Sequence, residues 1–260
     1  MSNMLSEHLA LTTSVCDIAR AAGEVITRFR SLHPTVPHRV KEDNSPITEA
    51  DAAANKLITQ ALRKLTPEIP IVAEESVACG EAPDVHGNSF WLVDPLDGTK
   101  EFIGGRSEFT VNIALIVNNA PVLGVIYLPA LNVIYWGGCG LGAQRQEDHQ
   151  LPTPLQTRTI PTNGPTVISS RSHSNLETEQ WLSKTRVAQR AIAGSSVKFC
   201  RIAEGRADLY PRLGTTMEWD IAAGHAILAA AGGGVETIEG APLRYGKPDF
   251  KNPYFIARGC

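Results

Sequence analysis

Five short runs rich in β-branched and aromatic residues, at 70–73, 90–93, 110–117, 122–127 and 133–136, follow one another closely and are punctuated by Asn118-Asn119 and Pro129. Runs of that length bounded by such breakers read as strands joined by turns, and they predict an antiparallel sheet. Ahead of them, Val15, Ile18, Ala22, Val25 and Phe29 recur at three and four residues, the repeat of a helix with one buried face. A second helical pattern covers 52–65 and stops at Thr66-Pro67.

The rhythm then changes. Residues 144–165 are rich in Thr, Gln, Pro and charge without sustained apolar periodicity, which marks a candidate domain junction. Beyond it a strand-like run at 167–169, helical runs at 176–183 and 197–204, a strand-like run at 207–210 and an apolar helix at 221–231 alternate, the last stopped by Gly232-Gly233-Gly234. Alternation of that kind predicts an α/β second half. The expected division is an α+β domain over 1–150 and an α/β domain over 151–260.

With 260 residues, 43% of them apolar and 20% charged, the chain can close over a core and gives no case for disorder. Its 24 basic and 27 acidic residues leave a net charge of −3, so no general positive field favours nucleic acid or anionic lipid. Cys16, Cys79, Cys139, Cys200 and Cys260 are scattered and odd in number, which fits reduced thiols. No stretch approaches the roughly 18 apolar residues of a membrane span. The start of the chain also lacks the basic-then-apolar pattern of an export signal. A cytoplasmic protein is the expectation, with its oligomeric state open.

The most informative stretch is Trp91-Leu-Val-Asp94-Pro95-Leu96-Asp97-Gly98-Thr99. An apolar strand runs into an Asp-Pro turn, and Pro95 presets φ so that Asp94 and Asp97 come to one side of a tight bend. Like charges held that close call for a cation between them, and an oxygen-rich site suits Mg²⁺ or Mn²⁺. The bend also exposes the Leu96 carbonyl. Gly98 and Thr99 stand at a predicted helix start, where free N–H groups attract phosphate. A plainer reading stays open, in which Asp94 begins a turn and Asp97 caps a helix.

Glu74-Glu75-Ser76 follows the strand at 70–73, either as a third carboxylate of the site or as a solvated acidic pair. Thr48-Glu49-Ala50-Asp51 opens the second helix as a capping box, with Asp51 as either a cap or a base acting through a neighbouring hydroxyl. Asp220 stands at the front of the apolar helix, as a cap or as a ligand that would put the site between the two halves. Gly194-Ser195-Ser196-Val-Lys198 brings small residues and a cation to a helix start, a possible phosphate seat, and Arg201, Arg206 and Arg212 are either a solvated face or an anion-binding patch. Asp208 carries no assigned chemistry.

Taken together, Ile47-Thr-Glu-Ala-Asp51, Ala73-Glu74-Glu-Ser76, Asp94-Pro-Leu-Asp-Gly-Thr99 and Trp219-Asp220-Ile-Ala-Ala-Gly224 resemble the marks of the inositol monophosphatase-like superfamily of Mg²⁺-dependent, Li⁺-sensitive phosphatases. The likeness runs over nearly the whole chain. Lys100-Glu-Phe-Ile103, Glu108-Phe-Thr-Val-Asn-Ile-Ala-Leu-Ile116, Gly194-Ser-Ser-Val-Lys-Phe-Cys200 and Ala203-Glu-Gly-Arg-Ala-Asp-Leu-Tyr-Pro-Arg212 resemble its bacterial bisphosphate-nucleotidase branch. Ser107 and Leu213 depart from that branch, which tends to carry Gly and Phe there.

The resemblance implies a layered α-β-α-β-α sandwich. It implies two or three Mg²⁺ ions, replaceable by Mn²⁺, on Glu74, Asp94, Asp97, Asp220 and the Leu96 carbonyl. Asp51, Thr99 and Glu74 would be catalytic, with Thr99, oriented by Asp51, positioning the attacking water and taking its proton. The Gly98 and Thr99 amides would hold phosphate oxygens. His173, Ser195, Lys198 and Arg212 would contact nucleotide, with Glu74, Leu96, Asp97 and Asp220 also bordering the substrate. The implied reaction removes the 3′-phosphate of adenosine 3′,5′-bisphosphate to leave AMP, and the sulfated analogue is a further substrate. Competing readings are an inositol-1-phosphate or fructose-1,6-bisphosphate phosphatase, and a nucleotide-binding sensor without turnover. The enzymatic readings expect the distant acids to gather close enough to cage a divalent cation.

Overall fold

A computed structural model describes residues 2–41, 46–85, 89–172 and 175–260. The first part supplies helices α1 (Ser2–Leu32), α2 (Glu49–Leu65), α3 (Glu74–Ala78) and α4 (Thr99–Ile103). A two-stranded hairpin of β1 (Arg39–Val40) and β2 (Pro46–Ile47) lies between α1 and α2. A seven-stranded sheet follows in chain order: β3 (Ile71–Ala73), β4 (Ser89–Asp97), β5 (Thr110–Val117), β6 (Ala120–Leu128), β7 (Val133–Gly138), β8 (Gly142–Glu147) and β9 (Thr153–Leu155). It is antiparallel except for the parallel pair β3–β4. The sheet thus takes in β8 and β9, from the stretch whose composition suggested a junction.

The rest builds β10 (Thr166–Ser170), α5 (Leu176–Ser183), β11 (Gln189–Ala193), α6 (Val197–Ala203), β12 (Leu209–Arg212), α7 (Glu218–Ala230), β13 (Gly234–Thr237) and β14 (Phe255–Arg258). Its five strands lie in the order β11-β10-β12-β14-β13, with α5 as the crossover between the parallel pair β10 and β11. The mixed α/β character expected from the sequence is what the structure shows.

Alternation along the strands explains why both faces of the first sheet are covered. Trp91 and Val93, then Val111, Ile113 and Leu115, then Val125 and Tyr127 point to one side, into a core closed by Val15, Ala19, Ile26, Ile58 and Leu62 of α1 and α2. Phe90 and Leu92, Ala114 and Ile116, Ile126 and Leu128 point to the other side. There they meet Ile221, Ala222, Ala223 and Ile227 of α7, and the same cluster continues through Phe199, Tyr210 and Phe255 of the second part. Side chains of successive strand residues take opposite faces, so a strand buried on both reads as continuously apolar. Helix α7 is likewise apolar almost all round because it lies between the two sheets.

Asp208 has a structural role. It is buried, accepts Arg158 through both oxygens (2.8 and 2.9 Å), and takes the Thr166 amide at 2.6 Å, which ties the segment before β10 to the start of β12. Burial alone would raise its pKa, but Arg158 and the Thr166 amide outweigh burial and hold it below the ordinary carboxylate value. A depressed pKa contributes stability that is present above the unfolded-state value and is lost as pH falls through the folded one. Asp208→Ala, which leaves the Thr166 amide unpaired and frees the partly exposed Arg158, is expected to cost about 2 kcal/mol in urea unfolding. A loss under about 0.5 kcal/mol, the range of neutral surface changes, would contradict this role.

Candidate active site

The parallel pairing of β3 and β4 places the first two acids. Ala73 is in register with Val93, so the residues that follow, Glu74 just past the end of β3 and Asp94 within β4, come to the same level of the sheet. Here the expected Asp-Pro turn is corrected: β4 does not turn at Asp94 but continues through a bulge. Asp94 pairs with Asn112 and Asp97 with Thr110, so the β4 side carries one extra residue. Pro95 fits because β3 has already ended, and no ladder bond is lost to the missing N–H. The Leu96 amide closes the bulge by donating to Asp94 Oδ1 at 3.0 Å. Gly98 then adopts φ +87°, a left-handed conformation that costs other residues strain, and α4 starts at Thr99.

Helix α2 delivers Asp51. The capping box is present as expected: the Ala50 amide donates to Thr48 Oγ1 (3.1 Å), while Asp51 Oδ2 accepts the Thr48 amide (2.8 Å) and hydroxyl (2.5 Å). The other oxygen, Oδ1, lies 3.3 Å from Thr99 Oγ1, which is also 3.1 Å from the Leu96 carbonyl. Asp220 sits in the first turn of α7 with Oδ2 accepting the Met217 amide at 2.8 Å. The strand end, the bulge and two helix starts converge on one pocket. It is lined by Glu74, Asp94, Leu96, Asp97, Gly98, Thr99, Ser195, Lys198, Arg212 and Asp220, among others, and encloses about 880 Å³ with its open mouth. His173 lies outside the described residues.

The fields in this pocket follow from like charges sharing it. Asp94 is pushed well above the usual carboxylate range by burial, then by Glu74, Asp97 and Asp220. Burial raises Asp97 to about 6, against the pull of Lys198. Burial, then Asp97 and Glu74, raises Asp220 to about 8. Asp51 is raised by burial, partly offset by Thr48. Lys198 is brought down to about 8 by burial, with Asp97 opposing.

The donor set is chemically right for a hard cation: several carboxylate oxygens and a carbonyl. The close cage expected from the sequence is not present, however. Among the described residues no three Asp, Glu, His or Cys side chains stand together as a ligand group. The reason is visible in their partners. Glu74 is turned to Lys41 Nζ at 2.6 Å, Asp220 to the Met217 amide, Asp94 to the Leu96 amide, and Asp97 to Asn112 Nδ2 at 3.4 Å. Carboxylates that share one pocket reduce their repulsion by taking donors from the protein.

Two residues at the site, Lys41 and Asn112, carried no role in the sequence reading. Lys41 bridges Glu74 and Glu75 (2.6 and 2.9 Å), and its two partners hold its pKa above the ordinary value although burial works against them. Ser196 donates to Asn112 Oδ1 at 2.7 Å and lies 2.9 Å from Thr110 Oγ1, locking the start of α6 to β5. The signal for Asn112 was a polar residue inside an otherwise apolar strand. Ser195 has φ +41°, rare for a non-glycine, and such strain concentrates at functional sites. Its hydroxyl and Arg212 Nε have no hydrogen-bond partner among the described residues, although both residues line the pocket. Arg201 and Arg206 are instead spent on Glu204 (2.9 and 3.5 Å), so of the three arginines only Arg212 faces the pocket.

A pocket that joins Asp-Pro-Leu-Asp-Gly-Thr, a capped Thr–Asp pair and an acid on a central helix belongs to a phosphatase architecture, and comparison with known proteins agrees: residues 8–257 match the inositol monophosphatase family, to which this chain belongs. Phosphatases of this family are metal-dependent, typically on Mg²⁺. The 3′(2′),5′-bisphosphate nucleotidase CysQ of Escherichia coli K12 is 45% identical over 93% of this chain and 96% of its own length. The protein of the same name from Haemophilus influenzae is 32% identical over 98% and 94%. Among solved structures, CysQ from Bacteroides thetaiotaomicron superposes with a TM-score of 0.80 at 36% identity, covering 96% of this chain and 97% of that one. An inositol monophosphatase from Anabaena gives 0.77 at 25% identity, covering 97% and 92%.

Asp94→Asn removes one repelling charge at constant volume. The metal-free variant is expected to melt a few degrees higher than wild type, and millimolar Mg²⁺, which raises the wild-type Tm, should no longer do so. For wild type, the Mg²⁺-induced rise should shrink as pH is lowered from 8 to 5. Asp97 and Asp220 take up protons in that range, and protons compete with the cation for the same oxygens. The sign follows from linkage: raised carboxylate pKa values weaken the metal-free fold as pH climbs, so the cation has most to offset at the alkaline end. An undiminished Mg²⁺ response in Asp94→Asn, read by scanning fluorimetry, would remove Asp94 from the site.

Proposed function

We propose that this chain is a Mg²⁺-dependent 3′(2′),5′-bisphosphate nucleotidase that removes the 3′-phosphate of adenosine 3′,5′-bisphosphate, leaving AMP and phosphate, and also acts on the sulfated analogue. The observation that carries the substrate class is a pair of buried cations, Lys198 and Arg212, lining the same pocket as the acids. A site for a monophosphate has no need of them, whereas a second phosphate does. The nucleotidase names of relatives at 45% and 32% identity support the same reading.

In this proposal Glu74, Asp94, Asp97, Asp220 and the Leu96 carbonyl hold two or three Mg²⁺ ions, which Mn²⁺ can replace. When bound, such ions lower the pKa of water and steady a leaving oxygen. Thr99 Oγ1 orients the attacking water and passes its own proton to Asp51 Oδ1 as it receives one from the water. Thr48 holds the other Asp51 oxygen, which keeps the acceptor aimed. The Gly98 and Thr99 amides steady phosphate oxygens, and Ser195, Lys198, Arg212 and His173 meet the rest of the nucleotide. Reduced thiols accord with a cytoplasmic setting, and all five cysteines are free. No helix among the described residues is long and apolar enough to cross a membrane.

With purified protein, kcat/KM for adenosine 3′,5′-bisphosphate is expected to exceed that for inositol 1-phosphate by about 100-fold or more, since a monophosphate leaves Lys198 and Arg212 without a phosphate to bind, and to exceed that for fructose 1,6-bisphosphate, which lacks the nucleoside. The reverse order would overturn the substrate assignment, and tight nucleotide binding without turnover would favour the sensor reading. Thr99→Val should lower kcat by about 10²- to 10⁴-fold, the usual worth of general acid–base assistance, while leaving the Mg²⁺-induced Tm rise intact. A kcat within about twofold of wild type would exclude Thr99 from proton transfer.

A further inference from the structure

Glu101 is a buried carboxylate in the pocket that neither the metal set nor the phosphate-binding set uses. It lies on α4, two residues past Thr99, is only 3% exposed, and lines the cavity together with Gly98, Ser172, Gly194, Ser195 and Lys198. One oxygen, Oε1, is satisfied by the Ser172 hydroxyl at 2.7 Å, with Arg106 Nη1 farther off at 3.9 Å. The other, Oε2, lies against Gly98, 3.4 Å from where a Cβ would stand. Room for the side chain is made by Gly194, where a Cβ would come within 3.0 Å of Glu101 Cγ and 2.9 Å of the Glu108 carbonyl.

A carboxylate at this point is unfavourable for phosphate, which it repels, and unfavourable for the fold, which must strip it of water. Its use must lie with a group that donates a hydrogen bond. Fixing the loop after β10 takes only one oxygen, and Arg171 already anchors that loop to Glu108 at 2.7 Å, with Glu108 also accepting the Gly194 amide at 3.0 Å. The remaining oxygen lies beside Gly98, and Glu101 borders the pocket space that Gly98, Thr99 and Lys198 line with it. On the nucleotidase reading, which this inference rests on, that is the space between the phosphate being removed and the one retained, and the sugar must cross it.

We propose that Glu101 is a specificity-determining residue, whose Oε2 accepts a hydrogen bond from the sugar hydroxyl vicinal to the scissile phosphate and so selects ribonucleotide over deoxyribonucleotide substrates. A hydrogen bond to a charged acceptor is worth about 10- to 100-fold in discrimination against a substrate that lacks the donor.

The experiment compares adenosine 3′,5′-bisphosphate with 2′-deoxyadenosine 3′,5′-bisphosphate as substrates for wild type, Glu101→Ala, Glu101→Gln and Ser172→Ala. Wild type should prefer the ribonucleotide by about 10- to 100-fold in kcat/KM. Glu101→Ala should bring that ratio close to one by losing activity on the ribonucleotide alone, whereas Glu101→Gln, whose amide oxygen still accepts, should keep most of the preference. Ser172→Ala, which only loosens the loop, should slow both substrates by the same factor. Equal use of the two nucleotides by wild type, or equal slowing of both by Glu101→Ala, would overturn the proposal while leaving the nucleotidase reading standing. Should Glu101→Ala not fold, the wild-type ratio and the Glu101→Gln ratio decide alone. Failure of wild type to turn over either nucleotide would instead fell the nucleotidase reading, and this inference with it.

Discussion

The structure turns on a set of negative charges that the fold holds together against their mutual repulsion. The parallel register of β3 and β4 sets Glu74, just past β3, level with Asp94 within β4, the bulge of β4 adds Asp97, and the start of α7 adds Asp220 from the other part of the chain. In water such groups would separate. Here each is pinned by backbone that has other reasons to be where it is: β4 and β5 lie inside a sheet buried on both faces, and α7 is wedged between two sheets. The apolar core is what keeps the acids close, and their raised proton affinities measure the strain.

The rest of the site manages that repulsion. Lys41 neutralises Glu74 and Glu75, Lys198 lies opposite Asp97, and Thr48 and Met217 amides hold Asp51 and Asp220 at their helix starts. Asp51 and Asp220 are both capping carboxylates, and the proposed chemistry draws on them because a carboxylate that satisfies a helix start is thereby fixed in direction. The same economy gives each acid a partner within the protein: Lys41 for Glu74, the Leu96 amide for Asp94, Asn112 for Asp97 and the Met217 amide for Asp220. A site built this way is less stable without its ion than a neutral one would be, the familiar opposition between stability and function.

Much of this was legible in the residues, for identifiable reasons. The strands at 110–117 and the helix at 176–183 appear with the limits their patterns suggested, since a doubly buried strand is continuously apolar and Asn175 caps its helix through the Thr178 amide. The acids of Asp94-Pro-Leu-Asp-Gly-Thr do line one pocket with Glu74 and Asp220, because a strand end, a bulge and helix starts are local events with local signals. The bulge itself was read as a turn, since Asp-Pro serves both. Strands β8, β9 and β11 were hidden by their exposure at or near sheet edges, where polar residues replace the apolar alternation. Contacts across long stretches of chain, such as Ser196 with Asn112, Lys41 with Glu74 and Ser172 with Glu101, have no local pattern at all. Each joins segments that only the finished fold brings together.

The central claim is that these acids, gathered by the core and repelling one another, form one binding site for divalent cations. Anomalous diffraction from crystals grown with millimolar Mn²⁺ tests it most directly. The account predicts anomalous peaks in the pocket within about 2.0–2.5 Å of oxygens from Glu74, Asp94, Asp97, Asp220 or the Leu96 carbonyl, with Lys41 withdrawn from Glu74. Peaks confined to the molecular surface, with the Lys41–Glu74 pair unbroken at saturating Mn²⁺, would contradict it.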